Sequence, residues 1–192
     1  MARRSNHYEA AFEAYIRRLT IPCVAVDEAR RPLSDEGSIK NPDFLIYPRQ
    51  ARNLVVEVKG KWGKNSSGRR PWENWVTTDD LDALDRWQTM FGPGFVAALV
   101  FVYAEEAPDH PLPPMSDSGF EFRGFVYRFW AVALDDYVRH LRSRGMAWKA
   151  VSMARDAFRS RVRPLTDWLP TTETAMPRPT GVAPRRKVRQ LR

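Results

Sequence analysis

The chain has one cysteine in 192 residues, which excludes an internal disulfide, and no Cys/His cluster of the kind that holds structural zinc. Cys23 stands in an apolar run and is expected as a core thiol. Long hydrophobic runs are missing as well. The longest, Phe95 to Tyr103, is far short of the ~20 residues that a bilayer-spanning helix needs. The opening Met-Ala-Arg-Arg-Ser-Asn-His-Tyr-Glu has basic residues but no apolar segment, so no secretory signal is read and a cytoplasmic setting is expected. No G-x-x-x-x-G-K-[ST] loop and no G-x-S-x-G elbow occur, which leaves the chain without an ATP motor or a serine-hydrolase signature. Lysine is scarce too: Lys40, Lys59, Lys61, Lys64, Lys149 and Lys187 stand among 31 basic residues, the rest arginine.

What is present suits a folded domain with a polyanionic partner. Hydrophobic residues make up 43% and aromatics 12%, enough for a core in a chain of this length. Residues 1–170 read as a single domain. The net charge of +8 is uneven: Thr171 to Arg192 carries six basic residues against Glu173, three prolines and few large apolar side chains, so it reads as a disordered tail. A second basic stretch runs from Arg139 to Arg163 and includes Arg155 and Arg159. Such surfaces suit nucleic acid, where counterion release drives binding. An arginine-rich proteome decorating every helix would give the same pattern.

Asn41 to Lys61 reads as two strands and a turn. Phe44 to Tyr47 is apolar, Pro48 to Asn53 is polar, and Leu54 to Val58 is rich in β-branched residues. Side chains on a strand alternate, so Glu57 and Lys59 share one face and Val56 and Val58 the other. Antiparallel pairing can bring Asp43 opposite them. Two carboxylates and an ammonium clustered at a sheet edge suit a hard cation such as Mg²⁺, which takes a few carboxylate oxygens and keeps room for water and phosphate. A cross-strand ion pair on a solvated hairpin is the plainer alternative.

Pro42-Asp43 followed by Glu57-Val58-Lys59 resembles the signature of the PD-(D/E)xK nuclease superfamily, the restriction-endonuclease-like proteins. The resemblance implies an α/β fold with an αβββαβ core, here extended by a C-terminal strand and basic helices. It also implies a metal-dependent endodeoxyribonuclease: Asp43, Glu57 and the carbonyl of Val58 would hold Mg²⁺ or Mn²⁺, and Lys59 would orient water or steady the transition state. Lys61 follows on the same strand face and would meet a flanking phosphate.

The first helix begins at Asn6-x-x-Glu9, a capping-box pattern, and Tyr8, Ala11, Phe12, Tyr15, Ile16 and Leu19 form its apolar stripe. Glu9 and Glu13 flank that stripe. In the Holliday-junction resolvase-like branch a glutamate of this helix completes the metal site, and the resemblance extends that role to Glu9 or Glu13; both can also be solvated helix residues near Arg17. His7-Tyr8-Glu9-Ala10-Ala11-Phe12-Glu13 is similar to the opening of the bacterial HYExAFE family. Resolvase-like relatives act as dimers, which implies a homodimer.

Gly60 to Thr77 reads as a long loop in which Lys61, Lys64, Arg69 and Arg70 alternate with Trp62, Trp72 and Trp75. The cations can meet phosphates while the indoles stack on unpaired bases, or the indoles can be packing residues on a lid. A helix is expected from Thr77 or Thr78 to Gly92, with Asp79 and Asp80 at its positive end and Leu81, Leu84 and Trp87 facing inward. Trp87-Gln88 resembles the helix pattern of several superfamily branches, including the VRR-NUC type, which adds Gln88 to the candidate catalytic residues. Phe95 to Tyr103 is the next strand, Phe120 to Leu134 another, and Asp135 to Ser143 and Ala147 to Val162 read as helices. The expected activity is hydrolysis of DNA phosphodiesters, on branched or structured DNA in repair or recombination. The alternative is a non-catalytic nucleic-acid-binding module that keeps the fold.

Overall fold

The computed structural model describes residues 6–27, 33–34, 37–62, 73–106, 119–143 and 149–170. Lys64, Arg69 and Arg70, expected to meet phosphates, and the basic tail 171–192 lie outside the described residues.

Helix α1 (His7–Arg18) is capped by Asn6, whose Oδ1 accepts from the Tyr8 N–H at 3.0 Å. The reciprocal half of the expected capping box is replaced by a side-chain contact, Asn6 Nδ2 donating to Glu9 at 2.7 Å. Strand β1 (Cys23–Ala25) follows, then the short β2 (Leu33–Ser34) and β3 (Gly37–Ser38), which pair with each other, then β4 (Phe44–Ile46) and the long β5 (Asn53–Trp62). Next come β6 (Trp75–Thr77), α2 (Thr78–Phe91), β7 (Phe95–Glu106), β8 (Phe120–Phe122) and β9 (Phe125–Ala133). The described chain closes with α3 (Leu134–Val138), β10 (Leu141–Ser143), β11 (Ala150–Met153), α4 (Arg155–Arg161), β12 (Arg163–Pro164) and a 3₁₀ turn at Leu165–Trp168.

The main sheet runs β1-β4-β5-β7-β9-β12, with β8 also on β9. Among the described residues of this sheet only β5 and β7 pair in parallel, with Glu57 beside Leu99 and Lys59 beside Phe101; the other ladders are antiparallel. A parallel pair needs a crossover, and α2 supplies it. The expected αβββαβ order is present as α1, the β1-β4-β5 meander, α2 and β7.

Alternation along β5 divides the core. Leu54, Val56 and Val58 pack with Val100, Val102, Phe12 and Ile16 under α1. Val55 packs with Ala97, Leu99, Phe101 and Leu84 under α2. The approach of α1 is close enough that Gly60 is required: a Cβ there would lie 2.1 Å from the Tyr8 ring.

Four expectations change. Phe120 to Leu134 is a hairpin rather than one strand, turning at Arg123 and Gly124, whose φ angles of 51° and 80° suit a tight two-residue turn. Of the helix expected over Ala147 to Val162, the described residues 149–162 are helical at Arg155–Arg161, because Ala150–Met153 takes backbone bonds from β6 and β10 on its two sides. Lys149, at φ 44°, also stands where a helix could not continue. Asp135 to Ser143 likewise splits into the short α3 and β10. The described ends of the expected Gly60–Thr77 loop are strand, β5 running through Trp62 and β6 beginning at Trp75.

Candidate active site

Glu57, Lys59 and Lys61 occupy the face of β5 that α2 covers, one residue out of phase with the apolar α1 face. The amino end of α2 is aimed at them by its cap. Thr77 Oγ1 accepts from the Asp80 N–H at 3.2 Å and Asp80 Oδ2 accepts from the Thr77 N–H at 3.1 Å, a complete capping box. This fixes the Asp80 carboxylate over the strand, where Lys59 Nζ reaches it at 2.7 Å and Glu57 at 2.9 Å. Lys40, just ahead of β4, closes the arrangement by donating to Glu57 Oε1 and, at 2.6 Å, to Asp80 Oδ1. Two carboxylates and two ammoniums therefore alternate in a ring, with Glu57 only 3% and Asp80 4% exposed.

Asp43 reaches the same stretch of β5 from the neighbouring strand. The β4–β5 ladder ends at Phe44 beside Val56, and Asp43 continues it by other means. Its N–H donates to the Val56 carbonyl at 2.9 Å, and its Oδ2 accepts from the Val58 N–H at 2.6 Å. The carboxylate is thus seated against the peptide that joins Glu57 to Val58. It is itself 3% exposed.

Burial raises the pKa of Glu57, and the ammoniums of Lys59 and Lys40 oppose the rise without cancelling it. Burial acts in the same sense on Asp80, but there Lys59 and Lys40 outweigh it and hold the carboxyl well below its ordinary range. Both lysines are shifted upward: burial opposes their charge, and Glu57 and Asp80 more than restore it.

Other expected site residues stand elsewhere. Glu13 is bound to Arg17 one turn on, at 2.7 Å, and Glu9 to Asn6. Both belong to α1, which covers the opposite face of the sheet from Glu57. Gln88 Oε1 accepts from the Ala97 N–H at 2.5 Å, which ties α2 to the start of β7; its neighbour Trp87 instead donates to the Lys40 carbonyl at 2.9 Å. Lys61 is buried, its ammonium 3.4 Å from the centre of the Trp75 ring. Arg155 and Arg159 are exposed on α4. His7 Nδ1 is 2.9 Å from the Tyr127 hydroxyl. A cavity of about 370 Å³, lined in part by Tyr15, Phe120, Phe129 and Leu165, includes none of the ring's residues.

Lys40 and Asp80 were missed in the sequence. Asp80 had a signal, since Thr77-x-x-Asp80 is a capping box and places an acid at a helix start, but nothing local said which strand the helix would meet. Lys40 had only its rarity and its position three residues before Asp43.

Among the described residues no group of three or more His, Cys, Asp or Glu side chains is arranged to hold a metal ion. The donors nevertheless fit a hard divalent cation of the Mg²⁺ type, which uses one or two carboxylates and takes the rest from water and phosphate. Buried carboxylates stand on β5 and just ahead of β4, and one of them, Glu57, already draws two ammoniums.

No family model matches the chain, and no curated protein matches it. It is similar to solved structures, among them Hjc, a Holliday junction resolvase from the archaeal hyperthermophile Archaeoglobus fulgidus. That likeness covers 84% of this chain and 96% of the other, at 12% identity and a TM-score of 0.49. No helix among the described residues is long and apolar enough to cross a membrane.

Proposed function

We propose that this chain is a divalent-metal-dependent nuclease that hydrolyses DNA phosphodiester bonds, and that Asp43, Glu57 and Lys59 carry the reaction. The observation that supports this most is the seat of Asp43. Its carboxylate bonds the Val58 N–H, beside Glu57 and Lys59, just past the point where the β4 ladder stops. A solvated hairpin ion pair would leave these groups in water, whereas here both carboxylates are buried and Lys59 is only partly exposed. Asp43 and Glu57, with the Val58 carbonyl, would hold Mg²⁺ or Mn²⁺. Bound there, the ion would lower the pKa of a coordinated water and stabilise charge developing on the phosphate.

The protein's own groups do the rest. Lys59 extends from the same strand face as Glu57 and can hold a water or a phosphate oxygen by charge-assisted hydrogen bonds. Glu9 or Glu13 is kept as a candidate carboxylate although α1 lies across the sheet from Glu57, and Gln88 is kept despite its bond to Ala97. The net charge of +8 and the exposed Arg155 and Arg159 favour a polyanion. Branched or structured DNA, bound by a homodimer, is the substrate class this reading favours.

The ring itself favours a second reading, a nucleic-acid-binding module with an inert site, because Lys40 and Lys59 already neutralise Glu57 and Asp80. Cleavage of plasmid and four-way-junction DNA with Mg²⁺, Mn²⁺ or EDTA separates the two. Asp43→Asn keeps an oxygen to accept from the Val58 N–H while losing the charge, and Glu57→Gln is its counterpart. Each is expected to abolish cleavage in a folded protein. Wild-type cleavage rates in either variant would overturn the assignment, and binding without cleavage under every metal would establish the inert module.

A further inference from the structure

We propose that Lys40 is a resident counter-cation that a divalent ion displaces, so that this side chain sets how tightly the free protein binds metal. The inference rests on reading Asp43 and Glu57 as metal ligands. Its starting point is that Lys40 and Lys59 donate to the same oxygen, Glu57 Oε1. A cation that binds this carboxylate must share it with both ammoniums or replace one of them.

The two lysines differ in how they are held. Lys59 belongs to β5 itself, two residues from Glu57, and its side chain is 19% exposed. Lys40 lies in the segment between β3 and β4, outside any ladder, and its side chain is 29% exposed. Its backbone is pinned by the Trp87 indole at 2.9 Å, so the main chain stays while the flexible stem can swing toward solvent. Lys40 is therefore the ammonium that can leave.

Charge gives the direction. Glu57 and Asp80 are buried carboxylates brought close to each other, and Lys40 pairs with both. In the metal-free protein Lys40 limits their mutual repulsion, which stabilises the fold. A divalent ion brings twice that charge to Glu57, and the ammonium cannot stay in contact with the same oxygen without facing it. Metal binding is thus opposed by the loss of the Lys40 pairs. Removing Lys40 should weaken the fold and strengthen the metal site together, a pair of opposite effects that simple structural glue would not produce.

The test is titration calorimetry of the full chain with Mg²⁺ and Mn²⁺, alongside melting curves with and without metal. Lys40→Met keeps the stem and deletes the charge; it should melt lower than wild type without metal, bind Mn²⁺ roughly tenfold more tightly and gain more melting temperature from it. Lys40→Arg should stay near wild type. If Lys40→Met folds poorly, Lys40→Met with Asp80→Asn, compared with Asp80→Asn alone, removes one charge of each sign and should show the same tightening. Binding by wild type with no tightening in the Lys40 variants overturns the proposal and leaves the metal site standing. Binding by neither wild type nor any Lys40 variant overturns the metal reading and the proposal together. Binding only after Lys40 is removed supports the proposal in its strongest form.

Discussion

Along β5, Leu54, Val56 and Val58 lie under α1 among apolar side chains, while Glu57, Lys59 and Lys61, one residue out of phase, lie under α2. The α1 face is closed by shape: Phe12 packs against Phe44 and Phe129, with ring centres 4.9 and 5.8 Å away, and the Tyr8 ring rests on Gly60. The α2 face is closed partly by charge, because the helix arrives with Asp80 in its first turn. Burying charge costs free energy unless every group finds a partner, and the ring of Lys40, Glu57, Lys59 and Asp80 supplies those partners. A strand that only had to be stable could have been apolar on both faces, as parallel strands covered by helices usually are. The contrast teaches that the α1 face of β5 is held by apolar packing alone, whereas the α2 face joins apolar packing at Val55 to paired charge from Glu57 onward.

The largest effect should come from breaking the apolar face. Phe12→Ala empties a fully buried position and should cost about 3–5 kcal/mol in urea unfolding. If the two faces are separate in function, metal titration of the folded fraction should not move. A matching loss of metal affinity would show that the faces are coupled.

Asp80→Asn should cost less, about 2–3 kcal/mol at neutral pH, since its lysine partners keep some access to water. It also carries a pH signature. A carboxyl held below its ordinary pKa stabilises the fold above about pH 4 and loses that contribution as pH falls through the folded value. The stability gap between wild type and Asp80→Asn should therefore be constant near neutrality and begin to close below about pH 4. A gap that widens on acidification would mean that the lysines do not govern this group.

Gln88→Ala removes one hydrogen bond between α2 and β7 and should cost about 1 kcal/mol by denaturant melts. Cleavage reduced far beyond that cost would return Gln88 to the site. The smallest stability change belongs to Glu13→Ala, which breaks an ion pair with the exposed Arg17 and should barely move the melting temperature. Loss of cleavage in that variant would place Glu13 at the metal; full cleavage, followed by loss in Glu9→Ala, would give the role to its neighbour.

Much of this molecule is set by short-range rules that a single chain displays openly. The alternation that parts Glu57 and Lys59 from Val56 and Val58, the spacing of Asp43 from them, and the caps and stripes of α1 and α2 all follow from side-chain periodicity and local backbone chemistry. The long helix expected over Ala147 to Val162 failed for a non-local reason, the open edge of β6 that captured Ala150–Met153 as a strand. The charge ring was hidden in the same way. Lys40 and Asp80 are forty residues apart, and they meet only because the parallel pairing of β5 with β7 sends α2 back across the sheet, amino end first over Glu57. Local sequence determines which groups a strand or helix presents, but the partner across a crossover is chosen by the packing of the whole sheet, and electrostatic neutrality in a buried site is a property of that meeting.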